Sequence, residues 1–179
     1  MKRLPKPDDE TLLIRTDFSD EEAWQAVCTA ITTPNEDEFL ADLHIVDDPA
    51  YRDLTVDELA SLAPEDEYLL IVADRTALTA PGMPLLVLQL DEEDAQEHGR
   101  DLRVVAEELW GIENNLRLAN MDWWEFVDSA DDDGVFLGES RFAPGRRSLT
   151  DRRPVARRTV PEVPAGRGCG PETVVTGDR

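Results

Sequence analysis

The chain has 179 residues, of which 41% are apolar and 32% charged, and its 18 basic residues against 40 acids give a formal net charge of −22. That apolar share suffices for one domain with a buried core, while the charge disfavours nucleic acid as a partner and favours cationic surfaces. The longest apolar runs, at residues 69–73 and 84–88, are far too short to cross about 30 Å of hydrocarbon. The basic start of the chain is broken by Pro5 and Pro7, which excludes a signal peptide, so a cytoplasmic protein with no membrane contact is expected.

In chain order, residues 11–16 are apolar and bounded by acids, which predicts a strand. Ser19 and Glu22 stand at capping-box spacing and predict a helix start. Trp24, Val27, Cys28 and Ile31 recur at three and four along its buried face, and Pro34 marks its end. Residues 43–46 read as a second strand and Asp47, Asp48 and Pro49 as a turn. Thr55 with Glu58 is a second capping box, opening a short helix with Val56, Leu59 and Leu62. A third strand is predicted at residues 68–73. After a connection carrying Pro81, Gly82 and Pro84 comes a fourth, at 85–90, whose near-continuous hydrophobicity implies burial on both faces.

The polar stretch 91–101 reads as a loop and residues 102–105 as a fifth strand. Leu109, Ile112, Leu116 and Ala119 mark one face of a helix, and Asp122 with Glu125 opens a last helix with Trp123, Phe126, Val127 and Ala130 inward. Residues 134–138 suit a terminal strand or an extended closing segment. This alternation predicts one layered α/β domain over residues 1–141. Its sheet is mostly parallel or mixed, has about five strands with right-handed crossovers, and is flanked by helices; strand order and oligomeric state stay open.

From residue 142 onward prolines, glycines and paired arginines replace any apolar period, so residues 142–179 are expected to form a disordered basic tail. The charge divides accordingly. Residues 1–140 hold nine basic residues and 36 acids, a −27 body; residues 141–179 hold nine basic residues and four acids, a +5 tail. Of the two cysteines, Cys28 falls on an apolar helix stripe and reads as a small buried hydrophobe, while Cys169 lies in the tail; no disulfide is expected.

Four strings carry a resemblance: Leu4-Pro-Lys-Pro-Asp-Asp-Glu-Thr-Leu-Leu-Ile-Arg-Thr-Asp-Phe18, Asp47-Asp-Pro-Ala-Tyr51, Ala73-Asp-Arg-Thr-Ala-Leu78 and Glu113-Asn-Asn-Leu-Arg-Leu-Ala-Asn-Met-Asp122. Over about residues 4–140 the chain resembles a small domain family of unknown function that is widespread in actinobacteria. The resemblance implies no activity, and it stops before the basic tail.

Few chemical motifs are present. No glycine-rich phosphate cradle or nucleophile elbow follows a strand, and neither His44 nor His98 has a Ser or Cys partner at a suggestive spacing. Asp131, Asp133 and Gly134 fit three positions of a calcium loop, but Ser129 and Ser140 stand where its first and last ligands belong, so a charged turn is the better reading.

Two constellations remain. Asp17, Asp47, Asp48 and Asp74 each follow a predicted strand, at the sheet edge where carboxylates can hold Mg²⁺ in receiver-like or phosphotransfer domains. Asp also favours such positions through turn and cap hydrogen bonds, which is the stronger explanation here. Trp110, Asn114, Asn115 and Arg117, displaced from the Leu109–Ile112–Leu116 stripe, and Trp124 on the next helix form a candidate binding patch. The competing reading is ordinary helix packing, with the asparagines capping or bridging.

The sequence therefore favours a non-enzymatic, acidic protein-interaction domain that takes a basic protein partner and needs no cofactor. An inhibitor or immunity-type antagonist is its concrete version. The alternatives are a Mg²⁺-dependent phosphotransfer or receiver-like domain built on the four aspartates, and a structural or regulatory module without ligand.

Overall fold

The computed structural model describes residues 2–138; the tail expected from residue 142, with Cys169, lies outside the described residues. Six strands form one mixed sheet: β1 (Thr11–Arg15), β2 (Leu43–Val46), β3 (Leu69–Ala73), β4 (Leu85–Gln89), β5 (Asp101–Val104) and β6 (Val135–Phe136), in the order β2-β1-β3-β4-β5-β6. Around them run α1 (Glu21–Ile31), α2 (Val56–Leu62), α3 (Arg75–Thr79), α4 (Glu92–His98), α5 (Leu109–Arg117) and α6 (Trp123–Ser129). β1 pairs in parallel with β2 and β3, β4 runs antiparallel between β3 and β5, and β6 is parallel to β5.

The sheet order follows from the two parallel crossovers. The chain moves outward from β1 to β2 through α1 and returns across β1 to β3 through α2. Right-handed crossovers in opposite directions place their helices on opposite faces. Because side chains alternate along each strand, the sheet then feeds two cores. On one face Leu13, Ile71, Val87 and Val104 pack with Trp24 and Val27 of α1, Ile112 of α5 and Trp123 and Phe126 of α6. On the other, Leu12, Ile14, Leu70, Val72 and Leu88 pack with Tyr51, Leu59 and Leu4. β1, β3 and β4 are buried at every position, which accounts for their unbroken apolar sequences.

Several expectations need correction. The α1 cap is Asp20, whose carboxylate accepts from Ala23 N–H at 2.9 Å, and Ser19 instead donates its N–H to Asp17. Residues 75–79 and 92–98, where a connection and a loop are expected, are helical. Asp74 caps the first and Asp91 the second, whose seven residues include none that is buried; a helix without an apolar stripe has no periodicity to read. α5 stops at Arg117, so Ala119 is exposed and left-handed (φ +51°) instead of facing the core. Of the two forms open to the closing segment, the strand is the one present: residues 135–136 pair with β5 and bring the sheet to six strands.

Candidate functional site

Two of the four strand-end aspartates, Asp17 and Asp47, meet at a cation that already belongs to the chain. Arg15 is the last residue of β1, and its side chain is only 3% exposed. Its Nε donates to the Asp17 carbonyl at 2.9 Å; Nη1 donates to Glu21 Oε2 at 2.9 Å and to Asp47 Oδ1 at 3.2 Å. The guanidinium carbon also lies 4.4 Å from the centre of the Phe18 ring and 5.0 Å from that of Trp24. Trp24 Nε1 donates to Asp47 Oδ2 at 3.1 Å, which links α1, β1 and the end of β2 in one network.

Each carboxylate has partners of its own. Hydrogen bonds from Ser19 outweigh burial and, with the charges of Arg75 and Arg15, hold the Asp17 carboxyl below the usual range. Asp48 caps a 3₁₀ turn at Pro49–Tyr51 through Ala50 N–H and pairs with Lys2 at 3.2 Å. Asp74 is grasped by both terminal nitrogens of Arg103, at 2.8 and 2.6 Å, and also accepts from Ala77 N–H. Burial pushes Asp74 up, but Arg103 and the N–H groups of Ala77 and Thr76 overcome it and hold the carboxyl low.

Asp17 and Asp47 thus meet at Arg15, while Asp48 and Asp74 are committed elsewhere. Among the described residues no three His, Cys, Asp or Glu side chains are grouped to hold a metal ion. A divalent ion at the Asp47 carboxylate would compete with a buried guanidinium. The Asp131 carboxylate, at the stretch with partial calcium-loop spacing, accepts from Asp133 and Val135 N–H, as a turn does.

The second constellation is partly brought together. Trp110 is half-buried and stacks on Phe39 with ring centres 5.1 Å apart and planes 9° apart. Asn114 Nδ2 donates to the Leu40 carbonyl at 3.2 Å, and Arg117 Nη1 donates to Asp42 at 2.8 Å. These three residues hold the segment that joins α1 to β2. Asn115 turns back to the Gly111 carbonyl at 2.7 Å within its own helix, and Trp124 is half-buried on α6. Beneath the contact, buried Glu113 accepts from Thr11 Oγ1 at 3.0 Å and Asp42 N–H at 3.2 Å, fixing α5 to the starts of β1 and β2.

The residues that sequence reasoning missed are Phe39 and Leu40, which are 51% and 40% exposed on this platform. Asn35 shapes their turn: its side-chain oxygen accepts from the N–H groups of Asp37 and Phe39, and Glu38 is left-handed (φ +64°). Exposed Glu36, Asp37, Glu38 and Asp42 flank them. The signal was available as an apolar pair inside an acidic loop. Leu118, 68% exposed just past α5, extends the apolar surface.

The body's cations are largely consumed internally: Lys2, Lys6, Arg15, Arg100, Arg103 and Arg117 all sit in ion pairs. His44 faces Glu10 at 3.3 Å and His98 faces Glu97 at 3.9 Å, both on the protein surface. Cys28 is partly buried, and burial first, then Asp47, raises its thiol pKa. Among the described residues no helix is long and apolar enough to cross a membrane.

No curated protein matches the chain. Residues 10–139 match a family described as a domain of unknown function (DUF6924), a span that covers most of the sequence and lies within the region of resemblance read above. By this match the chain belongs to the DUF6924 family.

Proposed function

We propose that this domain is a non-enzymatic interaction module that takes a basic protein partner, with Phe39 and Leu40 as the apolar anchor. The observation that carries the reading is Phe39: a half-exposed ring held flat on Trp110, inside a turn fixed by Asn35 and Asn114, amid four exposed acids. A pre-ordered aromatic loses little freedom on binding, and the surrounding charge steers a cationic partner toward it. The commitment of the strand-end aspartates to Arg15, Arg103, Lys2 and backbone N–H groups supports a binding role over a catalytic one. An inhibitor or immunity-type antagonist of a cationic protein is the concrete form of this reading.

The test uses synthetic Lys/Arg-rich peptides with and without a central Leu or Trp, measured by fluorescence anisotropy and stopped flow. Peptides with the apolar residue bind more tightly. Full burial of a Phe ring is worth about 1.5–3 kcal/mol and Phe39 is already half-buried, so about half of that remains and Phe39→Ala weakens them by roughly four- to twelvefold, mainly through faster dissociation. Neutralising Glu36, Asp37 and Glu38 to their amides instead slows association and flattens its salt dependence. Identical binding by wild type and Phe39→Ala would remove the anchor from the proposal.

A further inference from the structure

The two edges of the sheet differ in what they offer a partner. At one, β6 is only two residues long. At the other, β2 carries Leu43-His-Ile-Val46 with β1 as its single neighbour. The Thr11 N–H donates to the Asp42 carbonyl at 2.8 Å, and Thr11 stands opposite Leu43 in the parallel register. Successive residues of a strand turn their backbone groups to alternate sides. Asp42, His44 and Val46 therefore serve β1, while the N–H and C=O groups of Leu43 and Ile45 point outward. Among the described residues nothing bonds to that side of Leu43 or Ile45.

Exposed edges are commonly blunted by a charged side chain, a proline or a bulge. β2 has none of these within its four residues, all of which keep register with β1. Leu43 and Ile45 share the sheet face of Leu13, where Leu43 packs against the core and Ile45 is 36% exposed. Phe39 lies on that same face through Trp110 of α5. Of the five large apolar side chains exposed among the described residues, three, Phe39, Leu40 and Ile45, fall between residues 39 and 45. Exposed acids flank them: Glu36, Asp37, Glu38 and Asp42 before the strand and Asp47 after it.

We propose that β2 takes an extended segment of the basic partner as a seventh strand, which bonds to the outward backbone groups of Leu43 and Ile45 and lays apolar side chains over Ile45 toward Phe39 and Leu40. This mode of docking rests on the interaction role given above. Charge selects the occupant. A second copy pairing through its own β2 would set Asp42 and Asp47 against their counterparts. A strand that alternates Lys or Arg with apolar residues instead meets those acids with its cations and Ile45 with its apolar face. Main-chain bonds then supply affinity, and the anchor at Phe39 supplies the choice of side chain.

The probe is a short synthetic peptide alternating Lys with Val around a central Leu, with derivatives that each carry one backbone N-methyl group. Against the full-length chain, methylation at every second position weakens binding about fivefold or more, the worth of one hydrogen bond, and the positions between leave affinity unchanged. Amide exchange at Leu43 and Ile45 is fast in the free protein and slows when the peptide is added, while His44, already bonded to β1, changes little. An even response along the methyl series, with Phe39→Ala still weakening the parent peptide, overturns strand addition and leaves the anchor reading in place. Failure of every peptide to bind removes both. Protection of Leu43 and Ile45 that needs no peptide and grows with protein concentration also overturns strand addition by a partner, because a second copy would then hold the edge.

Discussion

Replacing Arg15 with Met isolates the guanidinium while keeping most of its buried stem. Three effects are lost. The charged donor to the Asp17 carbonyl is worth about 1.5–3 kcal/mol. The Asp47 contact is worth at most about 1 kcal/mol, because that carboxylate is 43% exposed and regains water. The contacts over Phe18 and Trp24 add about 1–2 kcal/mol in a partly desolvated setting. Glu21 is left out because its carboxylate is 67% exposed. Against these losses stands relief from burying a charge, which typically returns a few kcal/mol. The expected net is a destabilisation of about 1–2 kcal/mol, read as a lower urea midpoint at pH 7 with an unchanged slope, or as a fall in Tm of roughly 3–8 °C. A variant within about 0.5 kcal/mol of wild type would refute the reasoning, because desolvation would then cancel everything the guanidinium contributes.

Acid stability should respond to Asp74. Its folded pKa is depressed, so its contribution is complete above the unfolded value of about 3.9 and is lost as pH falls through the lower folded value. Asp74→Asn is accordingly less stable at pH 7 but shows a shallower loss below about pH 4; parallel curves of urea midpoint against pH would contradict this. Cys28, with its thiol pKa raised by burial, reacts slowly with iodoacetamide at pH 7.5 in a Cys169→Ser background and quickly once unfolded. Fast labelling of the folded chain would show that the helix leaves the sulfur open.

The parts of the fold that bury apolar surface were legible in the sequence, and those that do not were hidden. β1, β3 and β4 declare themselves as apolar runs because both faces are covered, and Trp24, Val27 and Ile31 declare α1 by their spacing. α4 buries nothing and α3 is a single turn, so neither writes a period into the chain. At the site, the displacement of Trp110 from its helix stripe was readable, but its partner was not. Asn114 reaches Leu40 across 74 positions of sequence, and no local pattern joins them. Arg15 was hidden for the opposite reason. A lone cation at the end of an apolar strand looks like a boundary until Asp17, Phe18, Glu21, Trp24 and Asp47 converge on it.

The N-terminal stretch carries a consequence for where this domain begins. Leu4 is buried in the second core and its N–H donates to the Leu62 carbonyl at 3.0 Å, while the Tyr51 hydroxyl donates to the Arg3 carbonyl and Lys2 pairs with Asp48. These residues precede the span matched by the family, which opens at residue 10. The limit drawn by similarity therefore falls inside the physical unit. A chain trimmed to the matched span would uncover Leu59 and Tyr51 and forfeit about 1.5–3 kcal/mol from Leu4 alone. Boundaries set by shared sequence and boundaries set by packing are different lines in this protein, and among the described residues a strap from Lys2 to Asp9 precedes the matched span.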